Sequence, residues 1–540
     1  MTTPAASKRK TLPWSRRIPD DARYDAIVVG SGMGGMTAAA LLAKHGKKVL
    51  VLEQHYVPGG FTHTFKRKGY IWDVGVHAVG EVTTRSQPGR ILKALTDDKL
   101  QWASLGKVYD EFYFPDDMRI DFPDSREGFR DNLIAAFPEE TVAIDAYLTL
   151  VTDTCRGMGG HFMRLALPRS LDMLAGFLPG KAGDVDFDTT TLQAISALTD
   201  NPRLQTVFAA QWGYYGSIPS RSSWSIQALV VKHFWHGGYY PVGGSAAIAE
   251  TLLQTVADAG GWTITMADVA EIIVDGNKAK GVRLRDGREV MAKQIISAAG
   301  VQSTVRKLLP ARIAEQKWAQ EVSALRPASA HVCLYIGFKG DIRSAGAGSA
   351  NKWFYDTWSL DFDAWDVSDA DNLKTADILY CSFPSLKDPE HDPGPDVRHT
   401  GEVVTFVPWE TFAPWLDTTW RKRGEDYDAL KAKMEAVLLE QLLTRMPGLR
   451  GMVDYVELST PLSTDNFCRP THGSIYGIEP TPARYKVSAL RPASPVKNLY
   501  FAGSEVTSVG VIGAMMGGVL AAIAAEPVAT MRFIRKLPRA

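Results

Sequence analysis

The 540-residue sequence predicts an α/β fold in which a parallel-sheet domain is interrupted by a second, α+β domain. One observation is a strand–turn–helix–strand pattern between residues 24 and 60. A second is a group of short strands with hairpin turns at 263–298, and a third is an apolar strand at 496–502. Long stretches of different patterning separate these three pieces, so we expect one discontinuous domain wrapped around another.

The first βαβ unit carries a dinucleotide-binding fingerprint. Its predicted strands span 26–29 and 48–52, and its helix spans 36–43. A GxGxxG motif stands directly after the first strand and consists of Gly30, Gly32 and Gly35. The second strand ends in the acidic residue Glu53. Because strand, glycines, helix and acid stand in register, we predict a Rossmann-type domain.

Each of these residues has a physical reason to be there. Gly30 permits a tight turn off the strand, and Gly32 lets a pyrophosphate approach the backbone. Gly35 lets the helix lie close to the strand. The positive end of the helix stabilises phosphate charge. Glu53 can accept hydrogen bonds from both ribose hydroxyls, and its charge disfavours a 2′-phosphate.

Motifs near both ends of the chain point to a flavoprotein family. Gly59 and Gly60 precede the stretches 61–65 and 70–77, and FAGSE with VGVIGA stands at 501–514. The chain resembles the FAD-dependent group of phytoene desaturases, carotenoid isomerases and retinol saturases, and is most similar to retinol saturase-like proteins. The resemblance covers about residues 24 to 525. It implies the amine-oxidase-like (GR2) flavoprotein fold.

The resemblance implies FAD as cofactor and assigns binding positions beyond the fingerprint. Glu505 matches a residue that contacts the ribityl chain, and the helix starting near Ile512 would point its positive end at the flavin N1–O2 edge. The backbone at Val269 would meet the adenine. The remaining positions are Met33, Gly34, Gln54, Gly59, Gly60, Phe61, Thr62, Ala299, Gly503, Ser504 and Val511.

The family also implies a long, apolar, unsaturated lipid as substrate, either a carotenoid, a retinoid or a fatty-acyl chain. Hydride exchange with flavin N5 would desaturate or saturate it, and reduced flavin could instead assist isomerisation. His63 and His77 are candidate acid–base residues, although each also fits a buried histidine bonded to backbone. Tyr240 is a weaker candidate. In relatives the position of Val242 is commonly Arg, which puts an anchoring cation there in doubt.

The predicted domains follow from these motifs. The FAD domain comprises 24–100, 237–305 and 486–527, and the substrate domain comprises 101–236 and 306–485. We predict a flexible leader at 1–23, a basic tail at 528–540 and an exposed loop at 386–400. Since a second nucleotide fingerprint is lacking, an unidentified electron donor or acceptor would visit transiently.

Composition narrows the class of protein. The formal net charge is zero, which speaks against nucleic-acid binding, and the four cysteines are too far apart for CxxC chemistry. We predict no metal site, and the oligomeric state is not predictable. No apolar run is long enough to span a bilayer, so we expect a cytoplasmic protein. Residues 161–179 and the basic tail suit contact with a membrane surface, and equally suit packing on the protein.

Three alternative functions remain open at this point. One is a fatty-acid-specific desaturase of the same family, and another is a flavin amine oxidase. The third is a redox-silent lipid-binding protein of the same fold. The fingerprint, Glu53 and Glu505 together argue against the last of these.

Overall fold

The structure, a computed structural model, describes residues 12–17, 23–166, 185–360 and 364–538. A six-stranded parallel sheet forms the nucleotide-binding domain. Its strands, in spatial order, are Trp14–Ser15, Trp262–Ile264, Val49–Leu52, Ala26–Val29, Gln294–Ser297 and Leu499–Phe501. The chain returns to this sheet from three distant segments, as the sequence predicted.

The first helix, Met33–Lys44, is buried along most of its length and packs against two others, Ala246–Asp258 and Gly510–Ala525. Glycines permit the close approach to Gly510–Ala525. A Cβ at Gly34 would lie 2.6 Å from Gly503 Cα, and one at Gly518 would lie 2.2 Å from the Gly34 carbonyl oxygen. Only glycine fits at such contacts, because side-chain atoms cannot occupy space already filled by backbone.

A seven-stranded mixed sheet forms the second domain and is buried on both faces over much of its area. Its order is Val453–Ser459, Ala330–Lys339, Arg398–Val407, Ile378–Ser382, Asn351–Tyr355, Val108–Tyr113 and Arg119–Pro123. The pair Asn351–Tyr355 and Val108–Tyr113 is parallel, and the other neighbours are antiparallel. The aromatic residues Trp353, Phe354 and Tyr355 are buried in this sheet.

Small sheets join the domains. Val269–Asp275, Lys278–Leu284 and Glu289–Met291 form a three-stranded sheet. Two antiparallel pairs are the hairpin Thr64–Arg67 with Tyr70–Asp73, and Trp102–Ser104 with Tyr239–Pro241. The other α-helices of four or more residues are Gln87–Leu95, Arg126–Ala136, Thr141–Leu165, Thr191–Ser196, Pro202–Ala209, Trp224–His233, Ala311–Ala314, Lys317–Ser323, Glu425–Arg445, Pro461–Cys468, Pro482–Lys486 and Pro527–Lys536.

Both predicted tails are partly wrong. Trp14–Ser15 is an edge strand of the parallel sheet, and Ser15 Oγ accepts a hydrogen bond from Trp262 Nε1 at 2.9 Å. At the other end, Pro527–Lys536 is a helix whose Met531, Phe533 and Ile534 pack against the nucleotide-domain core. Apolar residues in each tail pack against the protein despite the basic composition of the tail, because burying apolar side chains is favourable.

The predicted exposed loop at 386–400 is also partly wrong. Lys387 is buried, and strand Arg398–Val407 begins inside the predicted loop. A Pro- and Asp-rich composition predicts turns but does not show which side chain points inward.

In the described residues, no helix is both long and apolar enough to cross a membrane. Contact with a membrane surface was predicted for the stretch 161–179. Most of this stretch, 167–179, lies outside the described residues. Its first part completes helix Thr141–Leu165.

Candidate active site

A large cavity of about 910 Å³ lies between the two domains. This volume is near the top of the ~300–1,000 Å³ range that ligand sites occupy. The residues predicted for the cofactor, apart from Gly35, line this cavity, and so do His63 and His77. The fold therefore brings together residues from the first and last hundred positions of the chain.

The glycine loop leaves space in the cavity where a cofactor needs it. A Cβ at Gly32 would meet no atom within 4 Å, and the same is true at Gly503 and Gly510. Gly35 differs, because its Cβ would lie 2.1 Å from the Gly30 carbonyl oxygen. Gly32 therefore borders open cavity space, whereas Gly35 permits close packing of the helix on the strand.

Two helix N-termini face this space. Helices Met33–Lys44 and Gly510–Ala525 both begin without a side-chain cap, and their first residues line the cavity. Uncapped N-termini offer free N–H groups and partial positive charge. They fit the pyrophosphate and the electron-rich edge of a flavin, so the residues present suit FAD.

Glu53 is 6% exposed and already engaged by the protein. Its Oε2 accepts hydrogen bonds from Ser31 N at 2.9 Å and Ser31 Oγ at 2.6 Å, and its Oε1 accepts one from His55 N at 2.8 Å. A carboxylate offers about four lone-pair sites. Three of these sites are used within the protein, and one remains for a further donor in this arrangement.

Glu505 is buried, and its Oε2 accepts a hydrogen bond from Gln302 N at 3.0 Å. Burial raises its pKa, and the Gln302 hydrogen bond and the charge of Arg484 partly offset this. Its other oxygen, Oε1, faces Gly300 and Gly477, where a Cβ would come within 3.3 and 2.5 Å of it. Glycine at both positions therefore gives the carboxylate room beside the cavity.

Away from the glycine loops the cavity wall becomes aromatic and then aliphatic. The aromatic part contains Tyr214, Trp353, Tyr380, Phe406 and Tyr476. The aliphatic part comes from two packed helices, Thr141–Leu165 and Trp224–His233, through Met158, Met163, Leu229 and Val230, and the aromatic Phe162 of the first helix also lines the cavity. An apolar extension of this kind suits a long lipid.

The two candidate histidines differ in their surroundings. His63 Nδ1 lies 2.6 Å from the Gly60 carbonyl oxygen, and burial lowers its pKa to about 4. His77 Nδ1 lies 2.9 Å from Glu402 Oε2, and its ring lies 5.2 Å from that of Tyr380. Burial, with the charge of Lys387, lowers the pKa of His77 to about 3. Both rings are neutral at pH 7, and only His77 is backed by an acid.

Tyr240 stands behind the wall. It does not line the cavity, and its hydroxyl donates a hydrogen bond to Asp73. Tyr240 is therefore placed to orient Asp73 and not to touch a substrate.

Sequence reasoning missed several residues of the site. Ser31 bridges the glycine loop and Glu53, and His331 lines the cavity with a pKa lowered to about 4 by burial. A buried ionisable group also lies behind His77 and consists of Asp73, Asp110, Lys387 and Glu402. Only Ser31, inside the GxGxxG motif, carried a local sequence signal.

Comparison with known proteins places this geometry in a family. The family described as "Flavin containing amine oxidoreductase" matches residues 33–525. The chain belongs to this family. Amine oxidoreductase folds recur among solved structures: cyclohexylamine oxidase from Brevibacterium oxydans has a TM-score of 0.58 at 16% identity, with 95% of this chain and 100% of that one covered.

Curated relatives of this flavin oxidoreductase are enzymes of polyene lipids. All-trans-retinol 13,14-reductase of Danio rerio is 32% identical, over 93% of this chain and 85% of that protein. Chloroplastic prolycopene isomerase of Arabidopsis thaliana is 26% identical, over 94% and 84%.

These relatives confirm the predicted family, fold and FAD cofactor. They likewise confirm an oxidoreductase that acts on carbon–carbon bonds of an apolar, unsaturated lipid, and they do not favour the amine-oxidase or redox-silent alternatives.

Proposed function

We propose that this flavoprotein reduces a carbon–carbon double bond in a retinoid- or carotenoid-like polyene. The observation that carries the proposal is the pairing of His77 with the buried acid Glu402 in the aromatic part of the cavity. Reduction consumes a proton for every hydride, whereas isomerisation consumes neither. A cavity wall that holds a proton donor therefore favours reduction over isomerisation. Similarity to a retinol reductase supports the same direction.

Different residues of the chain hold the cofactor, pack against the lipid and donate the proton. FAD, when bound, supplies the hydride. The uncapped helix N-termini and Glu53 hold the cofactor, and Glu505 stands beside it. The aromatic rings of Trp353, Tyr380 and Tyr214 give flat apolar surfaces against which a conjugated chain packs. The ring of His77 delivers the proton to the carbon that does not receive hydride.

The lipid extends along the aliphatic part of the cavity, between helices Thr141–Leu165 and Trp224–His233. Burying its chain there stabilises the complex by about 0.8 kcal/mol for each buried CH₂ group. The electron donor is a transient partner of unassigned chemistry. Arg532, Arg535 and Lys536 on the C-terminal helix suit contact with an anionic membrane. Sedimentation with phosphatidylserine vesicles tests this, and no co-sedimentation at low salt would contradict it.

The decisive experiment mixes anaerobic protein, whose flavin has been reduced with dithionite, with all-trans-retinol, retinoic acid, a carotenoid or an unsaturated fatty acid. We expect a polyene to reoxidise the flavin while it loses conjugation. Rearranged product without reoxidation would replace reduction by isomerisation, and bleaching of oxidised flavin by a lipid would replace it by desaturation. Apoprotein under the same conditions is the control.

A further inference from the structure

We propose that Glu402 is a positioning and proton-supplying residue for His77, and that Lys387 stabilises the charge left on Glu402 after the proton has moved. This inference rests on the proposed reduction and deepens it. It starts from a group of ionisable side chains that lies behind the cavity wall and that no sequence motif marks.

Four ionisable residues are almost completely buried together. Asp73 is 2% exposed, Asp110 0%, Glu402 1% and Lys387 4%. They come from four separate strands or turns, and Glu402 lies in the middle of the seven-stranded sheet, opposite Tyr335 on one side and Ser382 on the other. Burying several charges in one place is unfavourable unless they are paired or neutralised by protonation.

Lys387 fixes the position of His77. Its Nζ donates hydrogen bonds to the His77 carbonyl oxygen and to Ser382 Oγ, both at 2.7 Å, and to the side chain of Asn351. Asn351 Nδ2 in turn donates to Asp110 at 2.8 Å. The ammonium group is thus saturated with neutral acceptors, and it attracts both Glu402 and Asp110.

One ammonium charge balances only one of the three carboxylates. Burial raises the pKa of Glu402 well above its usual value despite Lys387, and it raises that of Asp73 to about 6 and that of Asp110 to about 7. At neutral pH a proton therefore resides in this region. Glu402 alone of the three carboxyls contacts a cavity-lining histidine, at 2.9 Å.

Neutral His77 carries its hydrogen on Nε2. Glu402 Oε2 lies 2.9 Å from His77 Nδ1 but is not aligned with it as a hydrogen bond, so the transfer requires a rotation that turns Oε2–H towards Nδ1. FAD, when bound, would supply hydride to one substrate carbon. The Nε2–H bond of His77 breaks as a C–H bond forms on the neighbouring carbon. The Oε2–H bond breaks as an Nδ1–H bond forms. His77 remains neutral throughout, as its low pKa requires, and Glu402 ends as a carboxylate near Lys387. Water supplies the replacement proton between turnovers.

Several other titratable groups surround Glu402 and His77. They are Asp73 and Tyr240, which are hydrogen-bonded to each other, Cys333 and Tyr335 on one neighbouring strand, Tyr380 on the other, and His331 in the cavity wall. Burial raises the pKa of each tyrosine and of the thiol well above its usual value, so these four groups stay neutral near pH 7. The titrating groups that remain are Asp73, Asp110, Glu402 and Lys387.

The test compares wild type with Glu402→Gln, which preserves shape and removes the transferable proton. The first readout is the infrared carbonyl band of a protonated carboxyl at pH 7, measured without substrate and shifted in D₂O. We expect part of this band to disappear in Glu402→Gln, whereas Asp110→Asn removes a different part. A wild-type spectrum without a protonated carboxyl, or a spectrum unchanged by Glu402→Gln, would overturn the inference.

The second readout is single-turnover reduction of the polyene that reoxidises the wild-type flavin. We expect Glu402→Gln to slow it on the order of 10²–10⁴-fold with normal flavin content, and to abolish the fall in rate that wild type shows as pH rises. Glu402→Asp, which keeps an acid but withdraws it by one methylene, should lie between the two. Unchanged rates in Glu402→Gln would overturn the relay alone. Failure of wild type to reduce any polyene would overturn the proposed function, while the infrared result would still report the proton store.

Discussion

Ser31 Oγ donates a hydrogen bond of 2.6 Å to Glu53 Oε2 and accepts one of 3.0 Å from Gly59 N. The Ser31 hydroxyl thus connects the GxGxxG loop with Glu53, at the end of strand Val49–Leu52, and with Gly59. We expect Ser31→Ala to destabilise the protein by about 1–3 kcal/mol, because it leaves buried polar groups unpaired. Urea unfolding measures this, with Ser508→Ala as a control that also lines the cavity. Equal stability of Ser31→Ala and wild type would contradict the bridge.

Alanine substitutions at Gly32 and at Gly35 should affect different properties, namely flavin content and stability. Gly32→Ala places its methyl in open cavity space, so we expect normal folding and a lower flavin content. Gly35→Ala drives its methyl into the Gly30 carbonyl at 2.1 Å, so we expect loss of stability first. Flavin absorbance per protein and thermal unfolding of the apoproteins separate the two effects. Flavin loading at the wild-type level in Gly32→Ala would show that the cofactor does not pass that position.

The carboxylate of Glu505 should contribute to flavin binding. Glu505→Ala removes the acceptor of Gln302 N and a contact beside the cavity, so we expect weak flavin retention after dialysis. Glu505→Gln keeps an acceptor oxygen of the same reach and should retain more flavin. If both variants hold flavin as tightly as wild type, Glu505 has no part in binding it.

His77→Gln should keep flavin and slow reduction of the polyene on the order of 10²–10⁴-fold, because a proton donor is lost while volume is largely preserved. His63→Gln is the matched comparison. His63 also lines the cavity, but its Nδ1 is bonded to backbone and no acid backs it, so the loss should be smaller. Rapid-mixing measurement of flavin reoxidation gives both rates. A larger loss in His63→Gln would exchange the roles of the two histidines.

Lys387 should make stability depend on pH. Burial lowers its pKa from 10.5 to about 7, so between these values the unfolded chain binds more protons than the folded one. Its contribution to stability is therefore full above pH 10.5 and declines as pH falls towards about 7. We expect Lys387→Met to remove a positive slope of up to about 1.4 kcal/mol per pH unit in this window. Urea unfolding from pH 7 to 10 compares the slopes, and identical slopes would show that folding does not lower the pKa of Lys387.

Most of the nucleotide-binding half was predictable because its signals are local. The GxGxxG motif, two apolar strands and Glu53 lie within 30 residues, and their spacing alone predicts a strand–turn–helix geometry. The hydrogen bonds that the protein itself makes to these residues were not predictable. The sequence does not show that Ser31 and His55 already use most of the lone pairs of Glu53, because hydrogen-bond partners depend on rotamers.

The parallel-sheet domain, its cofactor class and the conformation of the GxGxxG loop can be predicted from local sequence, since short-range steric and helix-end effects act within a few residues of each other. Tertiary structure alone decided what stands behind His77. The four residues behind His77 are spread over more than 300 positions of the chain: Asp73, Asp110, Lys387 and Glu402. In the sequence, three of the four look like ordinary surface residues. Their pKa shifts arise from burial and from mutual charge, and both quantities exist only once the two domains have packed around the cavity.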